Sequence, residues 1–346
     1  MSAQREEIGV SLDLLHVQRL APDLRQCILH CCLIPRNGHS TNLSSAGNRL
    51  GRRAHGSVNG RFGHDAGSSD TGSRDMTRRR RDADTAPVTV MTSERGTEVR
   101  PALHLRDFGS VRDPEVLLYC FPYAGGNAAF YRPWMALLPQ NIGLRAVQLP
   151  ARQDLLDVPP FTAMTDLVTA AAQLVREDAQ GRRHVFLGHS MGALVAFETA
   201  RELRRQEQQL PEHLVLSGHG APHLARRHPV VDGLDDGQLL ATVGRLGGIP
   251  EQVATTADLL PLIIPAIRAD FSLLAAYRHT QEPPLDCGAF VVGGAADEMV
   301  PSEALAAWNS HFTGPVSVEQ YPGGHFYLSK WGSRILSHTL DHIQRT

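Results

Sequence analysis

The chain has 346 residues, a formal net charge of −2 and 42% hydrophobic side chains. So small a charge excludes a global electrostatic pull toward nucleic acid or an anionic membrane surface. No apolar run approaches the ~20 residues of a transmembrane helix.

The opening residues, MSAQREEIGV, lack a basic start followed by an apolar run, so no secretory signal is expected. Cys27, Cys31 and Cys32 cluster near the start while Cys120 and Cys287 are scattered, which makes no disulfide framework and suits a reducing cytoplasm. Residues 1–97 read as a disordered N-terminal extension. From about Asn37 to Pro87 the chain is rich in Gly, Ser, Arg and Asp, and too few large apolar residues are present to offset the entropy of ordering it. Ile8–Leu33 is more apolar and reads as a helix that Pro22 would interrupt. The spacing of Cys27, His30, Cys31 and Cys32 matches no zinc pattern, so no metal is expected there. The run Arg78–Arg81 reads as a solvated charge run, with phosphate or nucleic-acid binding as the alternative. Met91 offers an alternative start.

Residues 98–346 form the second part. Val116–Phe121, Leu144–Leu149, His184–Leu187, Leu214–Leu216, Ala289–Val292 and Val316–Gln320 read as strands. Most are continuous apolar runs, typical of parallel strands covered on both faces. Helical patterns at Ala163–Asp178 and Met191–Gln206 lie between them. Strand and helix in alternation predict an α/β domain with a mostly parallel central sheet flanked by helices.

Residues 188–192 read GHSMG, a G-x-S-x-G pattern. The pattern is weak by itself, but an apolar strand runs into it and a helical pattern follows at once, as a nucleophile elbow requires. This setting predicts the α/β-hydrolase fold, with Ser190 as nucleophile. A serine hydroxyl needs a base. His325 stands on a glycine loop after the last strand and satisfies the chain order Ser, acid, His of this fold. His189 points away from its neighbour Ser190 and reads as a packing or hydrogen-bonding residue. His219, His223 and His228 could only line the site. The acid is expected on the loop after the penultimate strand, at Asp297, with Glu298 as fallback and a helix N-cap as the alternative use of Asp297. The oxyanion hole would take one amide from Met191 and another from the loop after the first core strand, Ala124 first and Tyr123 second.

Taken together, these segments resemble type II thioesterases, the stand-alone editing hydrolases that accompany polyketide synthases and nonribosomal peptide synthetases. The resemblance runs from about Leu118 to Leu328. It rests on FPYAGG at 121–126 with FYRPW at 130–134, QLPARQ at 148–153, GHSMGA at 188–193, SGHGAP at 217–222, RLGGIP at 245–250, RADF at 268–271 and GGHF at 323–326. Ala151 stands where the family often has glycine, and GAA at 294–296 replaces a segment that often carries an extra aspartate. The resemblance implies hydrolysis of acyl groups from the phosphopantetheine arm of an acyl or peptidyl carrier protein, with no cofactor and no metal. No nucleic-acid or membrane partner is expected, and the protein is expected to be a monomer.

An insertion at about 221–285 fits a helical lid with Gly247 and Gly248 as hinge, although its helices could equally belong to the core. A dock for an acidic carrier protein would draw on Arg132, Trp134, Arg226 and Arg227. Three other functions compete: a serine esterase or acyl-thioesterase on small substrates, an acyltransferase, and a non-catalytic carrier-protein binder. The terminal Gly-Gly-His and Ala193 after the elbow disfavour the acyltransferase, and a complete Ser190, Asp297 and His325 set disfavours the binder.

Overall fold

A computed structural model describes residues 103–225, 227–249 and 256–345. The N-terminal extension with its cysteine cluster, arginine run and Met91 lies outside the described residues, as does Arg226.

The strands are β1 (His104–Arg106), β2 (Val116–Phe121), β3 (Ile142–Gln148), β4 (Arg183–His189), β5 (His213–Ser217), β6 (Gly288–Gly294) and β7 (Val316–Tyr321). They form one seven-stranded sheet in the order β1-β3-β2-β4-β5-β6-β7. Every pairing is parallel except β1 with β3. The helices are α1 (Met164–Ala179), α2 (Met191–Arg205), α3 (Asp236–Gly244), α4 (Leu260–Ala276), α5 (Ser302–Ala306) and α6 (Leu328–Arg345). A 3₁₀ segment, Ala128–Leu137, follows β2.

The apolar runs follow from burial on both faces. In β2, Leu117, Tyr119 and Phe121 join one core cluster with residues of α1, α2 and α4, while Val116, Leu118 and Cys120 join another with the 3₁₀ segment and α6. No face of β2 meets water, so no polar alternation is required. In α1, Leu167, Val168, Ala171, Leu174 and Val175 recur at helical spacing and are all buried. The helix stops where Gln180 enters the left-handed region at φ 48°.

The register levels the strand ends. His189 of β4 pairs with Ser217 of β5, which pairs with Val292 of β6, and Gly294 of β6 pairs with Tyr321 of β7. The loops that leave β2, β4, β5, β6 and β7 therefore open at one edge of the sheet, the carboxyl end, where ligands bind in open α/β sheets.

Ala151, which stands where the resembled family often has glycine, has φ 60°. A β-carbon is strained in this region. Ala151→Gly is expected to stabilise the fold by about 1 kcal/mol, the reverse of the usual cost of alanine at positive φ. Thermal unfolding of the two proteins checks this, with an expected rise of about 2–4 °C for a domain of this size.

Candidate active site

Val185, Phe186 and Leu187 are wholly buried in β4 and carry the chain to Ser190. There the backbone turns sharply, with Ser190 at φ 55° and ψ −118°, and α2 begins at the next residue. Such a conformation costs on the order of 1–3 kcal/mol and is kept where surrounding structure enforces it. Both glycines of the motif are enforced by contact. A side chain at Gly188 would collide with the Gly192 carbonyl, and one at Gly192 with the Phe121 carbonyl. The second clash shows that the loop after β2 packs directly on the elbow.

The structure brings Ser190, His325 and Asp297 together from three loops. Ser190 Oγ lies 2.8 Å from His325 Nε2, and His325 Nδ1 lies 2.7 Å from Asp297 Oδ2. Ser190 is half-buried, whereas His325 and Asp297 are each only 7% exposed. The other oxygen of Asp297, Oδ1, accepts from the Met299 amide at 3.0 Å, which holds the carboxylate in place. Glu298 is exposed. Asp297 does not cap α5, whose N-cap is Pro301.

A second buried layer underlies His325. The His189 ring lies 5.2 Å from that of His325, tilted by 38°. The Tyr327 hydroxyl donates to the Val292 carbonyl at 2.8 Å. Its one proton is thereby used, so Ser217 Oγ, 2.6 Å away, must donate to it. His189 Nδ1, 2.9 Å from Ser217 Oγ, must then carry the proton and donate in turn. His189 Nε2 is bare and has no hydrogen-bond partner among the described residues. Burial, and then the nearby His325, hold the His189 pKa well below the usual histidine value, so this ring stays neutral. Gly218, at φ 64°, leaves room for both rings, since a β-carbon there would come within 2.7 Å of His189 Cε1. Sequence spacing alone did not reveal this network, although three of its members fall inside or beside recognised motifs.

Ser190 and His325 open onto a cavity of about 250 Å³. Leu224, Leu274 and Val300 supply apolar wall, and His219, Arg227 and His228 supply polar wall. His223 does not line it; its Nδ1 lies 2.7 Å from His311 Nε2. Met191, at the head of α2, is fully buried, and Ala124 is half-buried on the loop after β2. Of the residues expected to form a dock, Arg132 and Arg227 are exposed. Trp134 is corrected: it is only 6% exposed, packed edge-on to Tyr131 and close against Gly332 of α6. Its large apolar ring serves the core instead.

Known proteins share this arrangement of segments. A profile of the thioesterase domain family matches residues 117–346. Thioesterase PikA5 of Streptomyces venezuelae is 34% identical over 251 residues, covering 72% of this chain and 89% of that protein. The solved structure of the type II thioesterase BorB from the borrelidin biosynthetic cluster is 33% identical, with a TM-score of 0.64 over 69% of this chain and 96% of its own. RedJ, a thioesterase from the prodiginine biosynthetic pathway in Streptomyces coelicolor, is 34% identical, with a TM-score of 0.62 over 65% of this chain and 85% of its own. With a family match across the whole sheet from β2 onward, the chain belongs to the thioesterase family of the α/β-hydrolase fold and resembles its type II members.

Proposed function

We propose that the protein is an editing thioesterase that clears acyl groups from the phosphopantetheine arm of carrier proteins in polyketide or nonribosomal peptide synthesis. The observation that carries this reading is the unbroken chain of contacts from Ser190 through His325 to Asp297, at the mouth of a partly apolar cavity in a chain of the thioesterase family.

The distances suit a double-displacement chemistry. Ser190 Oγ attacks the thioester carbonyl while its proton passes to His325 Nε2. Asp297 holds the imidazole with Nδ1 protonated and stabilises the imidazolium. The carbonyl oxygen becomes an oxyanion, and the amides of Met191 and Ala124 are its donors. Collapse breaks the carbon–sulfur bond, and the departing phosphopantetheine thiolate takes the proton from His325. Water then attacks the acyl-serine with His325 as base, which releases a free acid and restores the Ser190 hydroxyl.

The insertion between β5 and β6 acts as a cover for the acyl chain. Its α4 supplies Leu274 to the cavity wall, and Gly248 lies so close to Phe326, the residue after His325, that a β-carbon would come within 2.6 Å of the ring. The partner is a carrier protein whose acidic surface would meet Arg132 and Arg227.

Substrate presentation tests this. With matched acyl chains, kcat/KM is expected to be higher on a carrier protein than on a small thiol by about tenfold or more, the equivalent of ~1.4 kcal/mol of binding remote from the reacting carbon. Salt should narrow the gap, because exposed arginines are screened. Equal or better turnover of small thiols at low and high salt would overturn the carrier-protein reading in favour of a general esterase.

A further inference from the structure

Arg152 and Asp270 lie 118 residues apart in the chain and form an ion pair almost wholly withdrawn from solvent, with side-chain exposures of 7% and 4%. The guanidinium meets the carboxylate at two points, Nη1 to Oδ2 at 2.8 Å and Nη2 to Oδ1 at 3.0 Å. A buried pair of this kind contributes little net stability compared with apolar residues of the same volume. Its further contacts show what it holds. Asp270 Oδ2 also accepts from the Gly125 amide at 2.7 Å. Arg152 Nη1 also donates to the Gly126 carbonyl at 2.8 Å. Arg152 Nε donates to the Pro150 carbonyl at 2.9 Å, which fixes the guanidinium in turn.

Both glycines belong to the tight turn after β2. The Gly126 amide donates to the Tyr123 carbonyl at 2.8 Å, closing a four-residue turn with Ala124 and Gly125 in the middle. Gly125 has φ 77°, the value a type II turn requires at its third residue. Types I and II differ mainly in the direction of the central peptide, here the one joining Ala124 to Gly125. Its N–H is the group that Asp270 accepts. Flipping that peptide would turn its N–H away from a buried carboxylate and leave the carboxylate short of a donor, a costly exchange away from water. Asp270 therefore selects one of two turn forms. The turn also touches the helix that carries Asp270: a β-carbon at Gly125 would come within 2.6 Å of Ile267 Cγ1.

We propose that the Arg152–Asp270 pair is a positioning device for the oxyanion hole: it grips the turn at the Gly125 amide and the Gly126 carbonyl, so that Ala124, whose own amide lies one peptide earlier, is held in place over the elbow, and it ties the turn to α4, the helix that lines the cavity. This rests on the reading of the Ala124 amide as an oxyanion donor. Neither residue is assigned a contact with the substrate; both act through the turn. One consequence is that a shift of α4 would be felt at the oxyanion hole before any change at Ser190, His325 or Asp297.

The test uses the full chain with Asp270→Asn, Asp270→Ala and the neutral double variant Arg152→Gln/Asp270→Asn. The kcat and KM for a hexanoyl thioester of a small thiol are measured per active site, with sites counted by exhaustive fluorophosphonate labelling. Asp270→Ala is expected to lower kcat per labelled site by about 10²-fold, the scale of losing or displacing an oxyanion donor, with KM changed by less than about threefold. Asp270→Asn should lose less, because its side-chain oxygen can still accept from Gly125. The double variant carries no unpaired buried charge and should keep a reduced kcat while its melting temperature recovers toward that of the parent. A purely structural pair would give a lower melting temperature and fewer labelled sites, with parental kcat at each remaining site; that result overturns the inference. Turnover that survives Ser190→Ala would instead overturn the reading of the whole site.

Discussion

Ser190→Ala is expected to lower kcat by about 10⁴-fold or more and to abolish covalent labelling, the effect of removing a triad serine. On the proposed reading, what would remain is transition-state binding by the oxyanion donors without a nucleophile. The fold is expected to survive. The hydroxyl bonds to His325 Nε2, a ring already held on its other side by Asp297, so its loss strands no deeply buried charge. Alanine also bears the strain at φ 55° no worse than serine does. Steady-state turnover by purified protein, with circular dichroism to verify folding, checks the result. Turnover within tenfold of the parent would remove Ser190 from the chemistry.

Asp297→Asn is expected to lower kcat by about 10⁴-fold, while Glu298→Gln stays within about twofold. The size of the first effect comes from a specific misorientation. Asp297 Oδ1 accepts from the Met299 amide and Oδ2 faces His325 Nδ1. An asparagine keeps its single oxygen toward Met299, the only arrangement that satisfies that donor. Its NH₂ then faces His325 Nδ1 and forces that nitrogen to accept. The imidazole proton moves to Nε2, where it can no longer receive a proton from Ser190. Glu298 is exposed and takes no part in this geometry. The pH dependence of kcat for both variants checks the assignment: a large loss with Glu298→Gln and a small one with Asp297→Asn would make Glu298 the acid.

Much of this protein was legible before its tertiary structure. The strand ending in GHSMG and the helix beginning there are local signals: a buried apolar run, glycines where side chains cannot fit, and a helical period. They predicted β4, the elbow and α2 to within a residue or two. The chain order Ser, acid, His, together with the glycine loop after the last strand, pointed to His325 among 17 histidines. Other elements left weaker marks. β1 has three residues, too few for a period to register, and exists by antiparallel pairing with β3. The helix α6 carries a spaced apolar set in Leu328, Ile335, Leu336 and Ile343, but no motif announces it. Trp134 read as a docking side chain because it stands, with Arg132, just after the loop that follows the first core strand; the closeness of α6 buries it.

The Arg152–Asp270 pair marks the boundary most sharply. A hint existed in the sequence: Ile267, Asp270, Phe271 and Leu274 share one helical face, and an aspartate on an apolar stripe demands a cation. Nothing local says which cation, or that the same carboxylate also holds a glycine amide 145 positions earlier. Sequence by itself determined the elements whose cause lies in neighbouring residues, through periodicity, turn chemistry and steric exclusion. Partners brought together by the closing of the sheet, such as His189 with Ser217 and Tyr327 or Asp270 with Gly125, were decided only in three dimensions, because hydrogen bonds between distant residues depend on where loops end and not on what lies beside them in the chain.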